Sequence, residues 1–423
     1  MNFDLQAIRA QFPALALTDR SRRRIYFDNP AGTQVLASVA EAMSDCLLKK
    51  SANVGGYFAS SQDAGEVVQS ARIAMADFLN APSPDEIVFG QNMTTITFHL
   101  SRSIGRLLRP GDEIVLSQMD HDANVWPWVM MARDLELEVR WLPFNHETFE
   151  FDLEILDDII TERTRLLCVG GASNLTGTIN NVKAICARAR AAGVMTYIDG
   201  VQSAPHIATD VQDIACDFFV CSSYKFFGPH QGILWGRREL LEQLEPYKVR
   251  PAPSEPPSCF ETGTQSHEGI AGITATVDYF SRIGTSMAKG YGDRWSHLAG
   301  RRRDVHAAMS LLFDYEKLLA DHLVDGLVEI DGIKVQGITD KNAMGRRVPT
   351  VAFTHSKTAP DSIAEGLAKQ NIFVWSGHNY AVEVAKSLGI YETGGAVRVG
   401  PVHYNSVAEI DEFLKALPGL LSR

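Results

Sequence analysis

Short apolar runs alternate with helical periodicity through the middle of the chain, from about residue 66 to residue 240. Five of these runs end in Gly, Ser or Asp and are typical of buried strands: Glu86–Gly90, Glu113–Ser117, Leu166–Gly170, Met195–Asp199 and Phe218–Ser222. Helical spacing of apolar positions predicts helices at four places: Glu66–Leu79, Asn92–Leu107, Ala123–Leu135 and Val182–Ala192. Because strands and helices that alternate need crossover connections, the pattern predicts an α/β fold with a mostly parallel sheet.

The pattern changes after a proline-rich segment, Pro251–Pro257. Beyond it the sequence predicts a helix at Ile270–Ile283 and a long helical stretch from about Gly290. Two weaker strands are predicted at Leu327–Val335 and Arg347–Phe353, and a closing helix at Val407–Leu417. We therefore predict a large domain over residues 22–290. Residues 1–21 and 291–423 are predicted to form a smaller α/β domain.

Composition narrows the classes of protein that fit. The 423 residues carry a formal net charge of -11, which argues against nucleic-acid binding because phosphate contacts need a basic surface. The six cysteines contain no C-x-x-C pair, so neither a zinc site nor a disulfide scaffold is predicted. The N-terminal sequence is unlike a signal peptide, and no apolar run approaches the ~18–20 residues of a membrane span. We expect a soluble cytoplasmic protein without a metal or membrane partner.

Two predicted strands deliver a carboxylate and an amine to the same edge of the sheet. Asp199 ends one strand, and Lys225 follows another between Tyr224 and Phe226. Apolar neighbours would desolvate the lysine and lower its pKa, which makes the neutral amine available as a nucleophile. An amine that condenses with an aldehyde and a carboxylate that protonates a pyridine nitrogen are what pyridoxal phosphate requires. The alternative is a solvated lysine and an aspartate that only caps a helix.

Further candidates follow the other predicted strands. Gly90–Thr95 lies between a strand and a helix, where backbone N–H groups can bind a phosphate, and Ser222 could add a hydroxyl. His121 follows a third strand and could stack on a pyridine ring. Taken singly, such residues are more often helix caps or structural histidines.

These motifs resemble the class V aminotransferases of fold type I, and within them the cysteine desulfurase-like branch. The resemblance extends from Tyr26–Gln34 to Val397–Gly400. Its most specific part is the S-x-x-K-x-x-G-P pattern of Ser222–Pro229, which follows D-G-x-Q at Asp199–Gln202. It implies a seven-stranded-type sheet in the large domain and pyridoxal 5'-phosphate as cofactor.

The resemblance also implies roles for individual residues. Lys225 would carry the cofactor as an internal aldimine, Asp199 would pair with the pyridine nitrogen and His121 would stack on the ring. The remaining cofactor contacts would come from Asn174 and Gln202 at the phenolic oxygen, and from Asn92, Met93 and Ser222 at the phosphate.

Two further residues are implied to act on the substrate and across subunits. Arg398 would clamp the substrate carboxylate, since a planar guanidinium binds a carboxylate at two points. Thr264 would reach the phosphate of the partner subunit, so the resemblance implies a homodimer.

The sequence departs from the desulfurase pattern where that branch carries its mobile cysteine. In Trp375–Ala381, Tyr380 stands in place of the thiol and Trp375 in place of an arginine. A phenol cannot accept sulfur to form a persulfide. Tyr380 would contact the substrate, either as a second acid/base or as a loop residue without a chemical role.

The sequence therefore predicts a pyridoxal phosphate enzyme that acts at the Cα of an amino acid, with class V transamination favoured. β-Elimination, retro-aldol cleavage and epimerisation remain open because all begin with a weakened bond at Cα. A cysteine desulfurase and a non-catalytic scaffold are less favoured. A nicotinamide enzyme is disfavoured because no G-x-G-x-x-G follows a predicted strand.

Overall fold

A computed structural model describes residues 3–421 of the chain. The strands of this region are β1 Thr18–Asp19, β2 Arg22–Arg23, β3 Ile25–Tyr26, β4 Ile87–Gly90, β5 Glu113–Ser117, β6 Glu138–Leu142, β7 Thr164–Gly170, β8 Met195–Asp199, β9 Phe218–Ser222, β10 Gly232–Gly236, β11 Ile333–Gln336, β12 Val351–His355, β13 Ile372–Phe373 and β14 Val397–Val399. The α-helices are α1 Leu5–Arg9, α2 Ala37–Lys49, α3 Ala59–Leu79, α4 Met93–Gly105, α5 Trp126–Asp134, α6 Leu153–Ile159, α7 Val182–Ala191, α8 Val211–Ile214, α9 Arg238–Gln243, α10 His267–Met287, α11 Gly300–Val328, α12 Pro360–Ala368, α13 Val382–Ser387 and α14 Val407–Ala416.

The central element is a seven-stranded sheet in the order β4-β10-β9-β8-β7-β5-β6. Only β10 runs against its neighbours β4 and β9, so the other six strands point the same way. Buried residues form one large core on each face of this sheet. The α/β class and the mostly parallel seven-stranded sheet predicted from the sequence are confirmed.

Two strands of this sheet were not predicted. The apolar part of β10 is three residues long between Gly232 and Gly236, which is too short to stand out as a buried strand. The edge strand β6 alternates with charged residues and is only partly buried. Its pairing with β5 is a tertiary contact that apolar periodicity does not report.

A second sheet follows in the C-terminal part, where β11, β12 and β14 pair antiparallel. The strand predicted over Leu327–Val335 starts too early, because α11 continues to Val328 and the chain turns at Gly332 before β11. Gly332 has φ +78, a conformation that favours glycine. Leu327 belongs to the helix, where it packs in the small core under this sheet.

The long helix α11 packs in two cores. Its residues Val305–Leu312 lie in a core of the large sheet, whereas Leu319–Leu327 lie in the core of the small sheet. In addition, β3 pairs in parallel with β13, so the N-terminal segment joins the C-terminal part. We retain as a proposal the division into 22–290 and 1–21 with 291–423, of which residues 1–2 and 422–423 lie outside the described region.

None of the helices in residues 3–421 is long and apolar enough to cross a membrane.

Candidate active site

A cavity opens at the carboxyl edge of the large sheet. Its walls come from the segments that follow β4, β5, β7, β8 and β9, which is where ligands collect in parallel α/β sheets. The lining includes eight residues singled out from the sequence: Asn92, Met93, His121, Asn174, Asp199, Gln202, Ser222 and Lys225. Parallel strands thus bring together residues that lie far apart in the chain.

Lys225 lies in the single turn Ser223–Lys225 directly after β9. Its amine donates to the carbonyl oxygens of Pro30 at 2.5 Å and Ala31 at 3.0 Å, and lies 4.9 Å from the centre of the Tyr224 ring. Burial, together with the positive charge of Arg398, lowers the pKa of Lys225 to about 7, against the opposing effect of the Asp199 charge. A substantial fraction of the amine is therefore neutral, and nucleophilic, near neutral pH.

Asp199 is buried at the end of β8, and its Oδ1 accepts from the N–H of Val201 at 2.8 Å. Burial raises the pKa of the Asp199 carboxyl to about 7, and the nearby carboxyl of Asp120 adds to the increase. A cationic partner such as a protonated pyridine nitrogen would stabilise the ionised form.

Asp120 is a functional candidate that the sequence reasoning missed. Its carboxylate accepts from Ser117 Oγ at 2.5 Å, Asn124 Nδ2 at 2.7 Å and the N–H of Gly170 at 2.8 Å. Through these bonds it fixes the turn that carries His121 to the end of β7. The sequence signal was available, since Asp120 follows β5 just before His121.

His121 is held as a neutral ring. Its Nδ1 accepts from the N–H of Ala123 at 3.0 Å, which leaves the proton on Nε2. Burial lowers the pKa of His121 to about 3, assisted by the positive charges of Lys225 and Arg398. One face of the ring stacks on Tyr380, with centroids 5.4 Å apart and planes inclined by 15°.

The predicted phosphate contacts lie at the start of α4, a thirteen-residue helix. Asn92 caps it through Oδ1, which accepts from the N–H of Thr95 at 2.8 Å, and the N–H of Met93 donates to Ser222 Oγ at 3.3 Å. Gly232 of β10 lies against this turn, and a Cβ there would be 2.4 Å from the carbonyl carbon of Asn92. The helix start is thus held close to the sheet, with its dipole directed at the cavity.

Asn174 presents an unpaired acceptor. Its Nδ2 donates to the carbonyl oxygen of Asn379 at 2.8 Å, and because a carbonyl only accepts, this bond fixes the orientation of the carboxamide. The Oδ1 atom is buried and has no hydrogen-bond partner among residues 3–421. An orphaned acceptor in the cavity wall indicates a place for a ligand group.

Arg398 lies in β14 beside the cavity and is buried. Its Nη1 donates to the backbone oxygen of Asn174 at 3.0 Å, and Nε has no hydrogen-bond partner in the described part of the chain. Burial lowers the pKa of Arg398 to about 10, while burial raises that of the nearby Asp28 carboxyl to about 6. A desolvated guanidinium with a free N–H is suited to binding an anion.

Three predicted site residues do not line this cavity: Arg398, which lies beside it, Thr264 and Tyr380. Thr264 is exposed and lines a different cavity with Lys50, Gln265 and His267. Tyr380 is 66% exposed, although its ring covers His121. The proposed roles of Thr264 and Tyr380 therefore stay predictions.

The loop that carries Tyr380 is tied to the site in a strained conformation. Asn379 and Tyr380 have φ of +51 and +58, a region that non-glycine residues rarely adopt. Asn174 bonds to the first of them, and the N–H of Asp122 donates to the carbonyl oxygen of Tyr380 at 2.7 Å. Hydrogen bonds from Asn174 and from Asp122 thus hold this loop next to His121.

Comparison with known proteins gives a consistent result. The model of the family described as aminotransferase class-V matches residues 25–302 and 306–413. A curated protein named cysteine desulfurase, from Pectobacterium atrosepticum, is 30% identical over 99% of this chain and 98% of its own length. One from Yersinia pestis is 29% identical with the same coverage.

Solved structures show the same relationship. An apo cysteine desulfurase from Thermococcus onnurineus superposes with a TM-score of 0.86 at 28% identity, covering 99% of this chain and 98% of that one. The cysteine desulfurase CsdA from Escherichia coli gives a TM-score of 0.82 at 27% identity with the same coverage.

Proposed function

The chain belongs to the class V aminotransferase family and is a pyridoxal 5'-phosphate enzyme of that class, and we propose that it transaminates an amino acid substrate. The chemistry common to this class takes place at Cα of an amino acid. Two features support transamination within this class: the residues of the cavity, and Tyr380 in the place where desulfurases carry a cysteine.

The cavity fits the cofactor. Lys225 offers a desolvated amine, Asp199 a buried carboxylate, and the start of α4 a set of N–H groups suited to a phosphate. The unpaired Oδ1 of Asn174 supports a further contact to a polar ring substituent. When bound, the cofactor withdraws electrons from the bonds at the substrate Cα.

The chain's own groups would then bind the substrate and move its proton. Arg398 would bind the substrate carboxylate, and Lys225, once released, would be the nearest base to Cα because its pKa lies near neutrality. His121, neutral with its proton on Nε2, would lie over the ring and exclude water from that face.

The burial of the cysteine thiols argues against cysteine desulfuration. All six cysteines lie in residues 3–421 and all are buried. Cys259, which follows the proline-rich segment Pro251–Pro257, is 2% exposed, and burial raises its pKa to about 11. A buried, protonated thiol is a poor nucleophile, which leaves transamination ahead of sulfur transfer.

We further propose a cytoplasmic homodimer in which Thr264 reaches the phosphate site of the other subunit. The support is the position of Thr264, which is exposed and outside the cavity of its own chain. The unpaired, buried thiols agree with a reducing compartment.

The observation that carries the proposal is the desolvated Lys225 at the end of β9, opposite Asp199. Reduction of the cofactor-loaded protein with borohydride should place the pyridoxyl group on Lys225, because this amine lines the cavity and its lowered pKa leaves a substantial fraction of it neutral. Lys225→Ala should abolish the label, and Lys183→Ala, at an exposed ion pair with Asp213, should not. A label on another lysine would disprove the site.

Product analysis then separates the reaction types. The loaded protein is mixed with a panel of amino acids, with and without a keto-acid acceptor. Transamination predicts no more than one equivalent of keto acid per site without the acceptor, and continued formation of a keto acid and a new amino acid with it. Acceptor-independent keto acid with ammonia would indicate β-elimination, an aldehyde retro-aldol cleavage, and an inverted α-carbon epimerisation.

A further inference from the structure

Two large aromatic side chains are left uncovered on the loop of residues 375–380, at the mouth of the cavity. Trp375 begins this loop and is 52% exposed, and Tyr380 ends it and is 66% exposed. Soluble proteins seldom leave large apolar side chains uncovered together unless a ligand or another molecule packs on them. The positions of the two rings relative to Arg398 and His121 indicate what that ligand is.

Trp375 lies directly opposite Arg398 in an antiparallel pairing. The N–H of Arg398 donates to the carbonyl oxygen of Trp375 at 2.7 Å, and the N–H of Trp375 donates to the carbonyl oxygen of Arg398 at 3.3 Å. Residues that exchange both bonds in this way carry their side chains on the same face, with Cβ atoms about 4.5–5.5 Å apart. The Trp375 side chain therefore leaves the backbone on the face of β14 from which the Arg398 guanidinium reaches Asn174 in the cavity wall.

The residues after Trp375 agree with this direction. Ser376 points the opposite way, where its hydroxyl donates to Asp361 of α12 at 2.6 Å. Gly377 pairs with Ala396 through two bonds of 3.1 Å each, so the side chains along this segment alternate regularly. Trp375 is thus directed to the cavity side and Ser376 away from it.

Tyr380 lies on the other side of the mouth. One face of its ring stacks on His121, which lines the cavity, and its carbonyl oxygen accepts from the N–H of Asp122 at 2.7 Å. The two rings thus flank the opening between Arg398 and His121. An amino acid with its carboxylate at Arg398 and its Cα within reach of Lys225 would have its side chain left to point out of the cavity, toward these rings.

The opening offers no cation for a second carboxylate. The loop of residues 375–380 has no Asp, Glu, Lys or Arg. Among the described residues that line the cavity, Lys225 is the only lysine or arginine, and the cofactor would occupy its amine. Lys386, which follows the loop in α13, bonds to Glu383 at 3.0 Å. Arg398 therefore remains to bind one carboxylate, that of Cα.

The anions of the site are also engaged. The Asp120 carboxylate accepts three hydrogen bonds, Asp199 is buried at the place of the pyridine nitrogen, and Asp28 lies near the positive charge of Arg398. A charged side chain that lost its water here without gaining a partner would weaken binding. Both acidic and basic substrates are therefore disfavoured.

We propose that the substrate is an amino acid with a neutral aromatic or large apolar side chain, and that Trp375 and Tyr380 determine this specificity by packing on it. The inference rests on the proposed function, because it takes Arg398 as the group that binds the substrate carboxylate. Aromatic rings suit such a side chain, since stacked and edge-to-face ring pairs add to the gain from burying apolar surface.

Carboxylates without a reactive amine test the specificity without turnover. Calorimetry on the cofactor-loaded protein gives the dissociation constants of four probes: 3-phenylpropanoate, pentanoate, glutarate and 4-guanidinobutanoate. We expect 3-phenylpropanoate to bind about tenfold more tightly than glutarate or 4-guanidinobutanoate, with pentanoate between them. Covering part of an apolar side chain gains about one tenfold step in affinity, whereas a charged end gains no partner.

Variants of the two rings show which side chains cause the preference. Trp375→Ala and Tyr380→Ala should each weaken binding of 3-phenylpropanoate about two- to tenfold, the range of one aromatic pair, and leave that of glutarate unchanged. Trp375→Phe keeps a ring and should retain most of the preference. Tyr247→Ala is the matched control, because this aromatic residue is 46% exposed, packs on Arg106 and does not line the cavity. All four constants should stay the same in this control.

Equal affinities for the four probes, or tightest binding of a charged one, would overturn the inference, as would an unchanged constant for 3-phenylpropanoate in both ring variants. If Trp375→Ala dissociates a dimer and leaves the order of the probes as it was, the rings belong to a subunit interface and the inference is wrong. The borohydride label on Lys225 reports the proposed function separately. A labelled protein without the preference loses only this inference, whereas a protein without the label loses both.

Discussion

At the scale of single residues, burial determines the chemistry of the site. Lys225, Asp199 and His121 are ordinary ionisable groups whose pKa values move to about 7, 7 and 3, and burial is the largest cause in each case. All three shifts favour the neutral form, because a charge in this cavity loses hydration. An amine and a carboxyl that both titrate near neutrality can exchange protons with a bound substrate.

The shift at Lys225 predicts a pH dependence of stability. Its pKa is lowered from 10.5 to about 7 on folding, so between these values the unfolded chain binds more protons than the folded one. The free energy of unfolding contributed by Lys225 therefore rises with pH across this window. Urea unfolding of the apo protein measures this. From pH 7 to pH 9.5, the free energy of unfolding should rise less, or fall more, for Lys225→Met than for the wild type.

Lys183→Met, at an exposed ion pair, is the matched control and should follow the wild type. Identical pH profiles for wild type and Lys225→Met would show that the amine is solvated.

At the scale of elements, a strand that was not predicted shapes the site. The antiparallel strand β10 pairs with β4 and β9, and its Gly232 allows the start of α4 to approach the sheet. The loop of residues 377–380 shapes the other side of the site, where its carbonyl oxygens accept hydrogen bonds from Asn174 and Asp122. Both elements position catalytic candidates that lie elsewhere in the chain.

Gly232→Ala tests the packing of β10 against α4. A Cβ at this position would lie 2.4 Å from the Asn92 backbone, so the helix start must move, at a cost of about 1–3 kcal/mol in stability. We expect weaker cofactor binding and a lower melting temperature. Gly65→Ala is the control: it lies inside α3 with no atom within 4 Å of the added Cβ, and should gain about 0.5–1 kcal/mol. Unchanged cofactor affinity in Gly232→Ala would contradict the proposed phosphate site.

The loop with Tyr380 predicts poor cysteine desulfuration. The reaction needs an accessible thiolate, and the six thiols are buried. Sulfide release from cysteine, assayed with a reductant, should stay near background for the wild type and for Cys259→Ala. Rapid release by the wild type would refute this, and its loss in Cys259→Ala would identify Cys259 as the nucleophile.

At the scale of the whole molecule, the proposed dimer would account for the exposed position of Thr264. Apolar side chains at the end of α2 and in the segment after it are strongly exposed in the single chain, with Leu48 at 79% and Tyr57 at 101%. A second copy would cover this surface and bring Thr264 to the other subunit's phosphate.

Sedimentation of the loaded protein should therefore give a dimer. Mixing inactive Lys225→Ala subunits with inactive Thr264→Val subunits should restore part of the activity, because one hybrid site has both residues. A monomer with full cofactor occupancy would refute the shared site.

The sequence by itself determined the fold class and which strand ends meet at the candidate site, because strand ends in a parallel sheet meet at one edge. Apolar periodicity located β4, β5, β7, β8 and β9 to within two residues, and the residues after them line one cavity. Local signals of this kind depend only on neighbouring residues.

Only the tertiary structure decided the rest. The pairing of β10 and β6, the approach of Gly232 to Asn92, and the Asp120 bonds to Gly170 join segments that no sequence period connects. The same holds for Glu316, which lies 110 residues beyond His206 and looks like any acidic residue of a long helix. Its burial against two histidines, His206 and His403, is a property of packing that no local pattern reports.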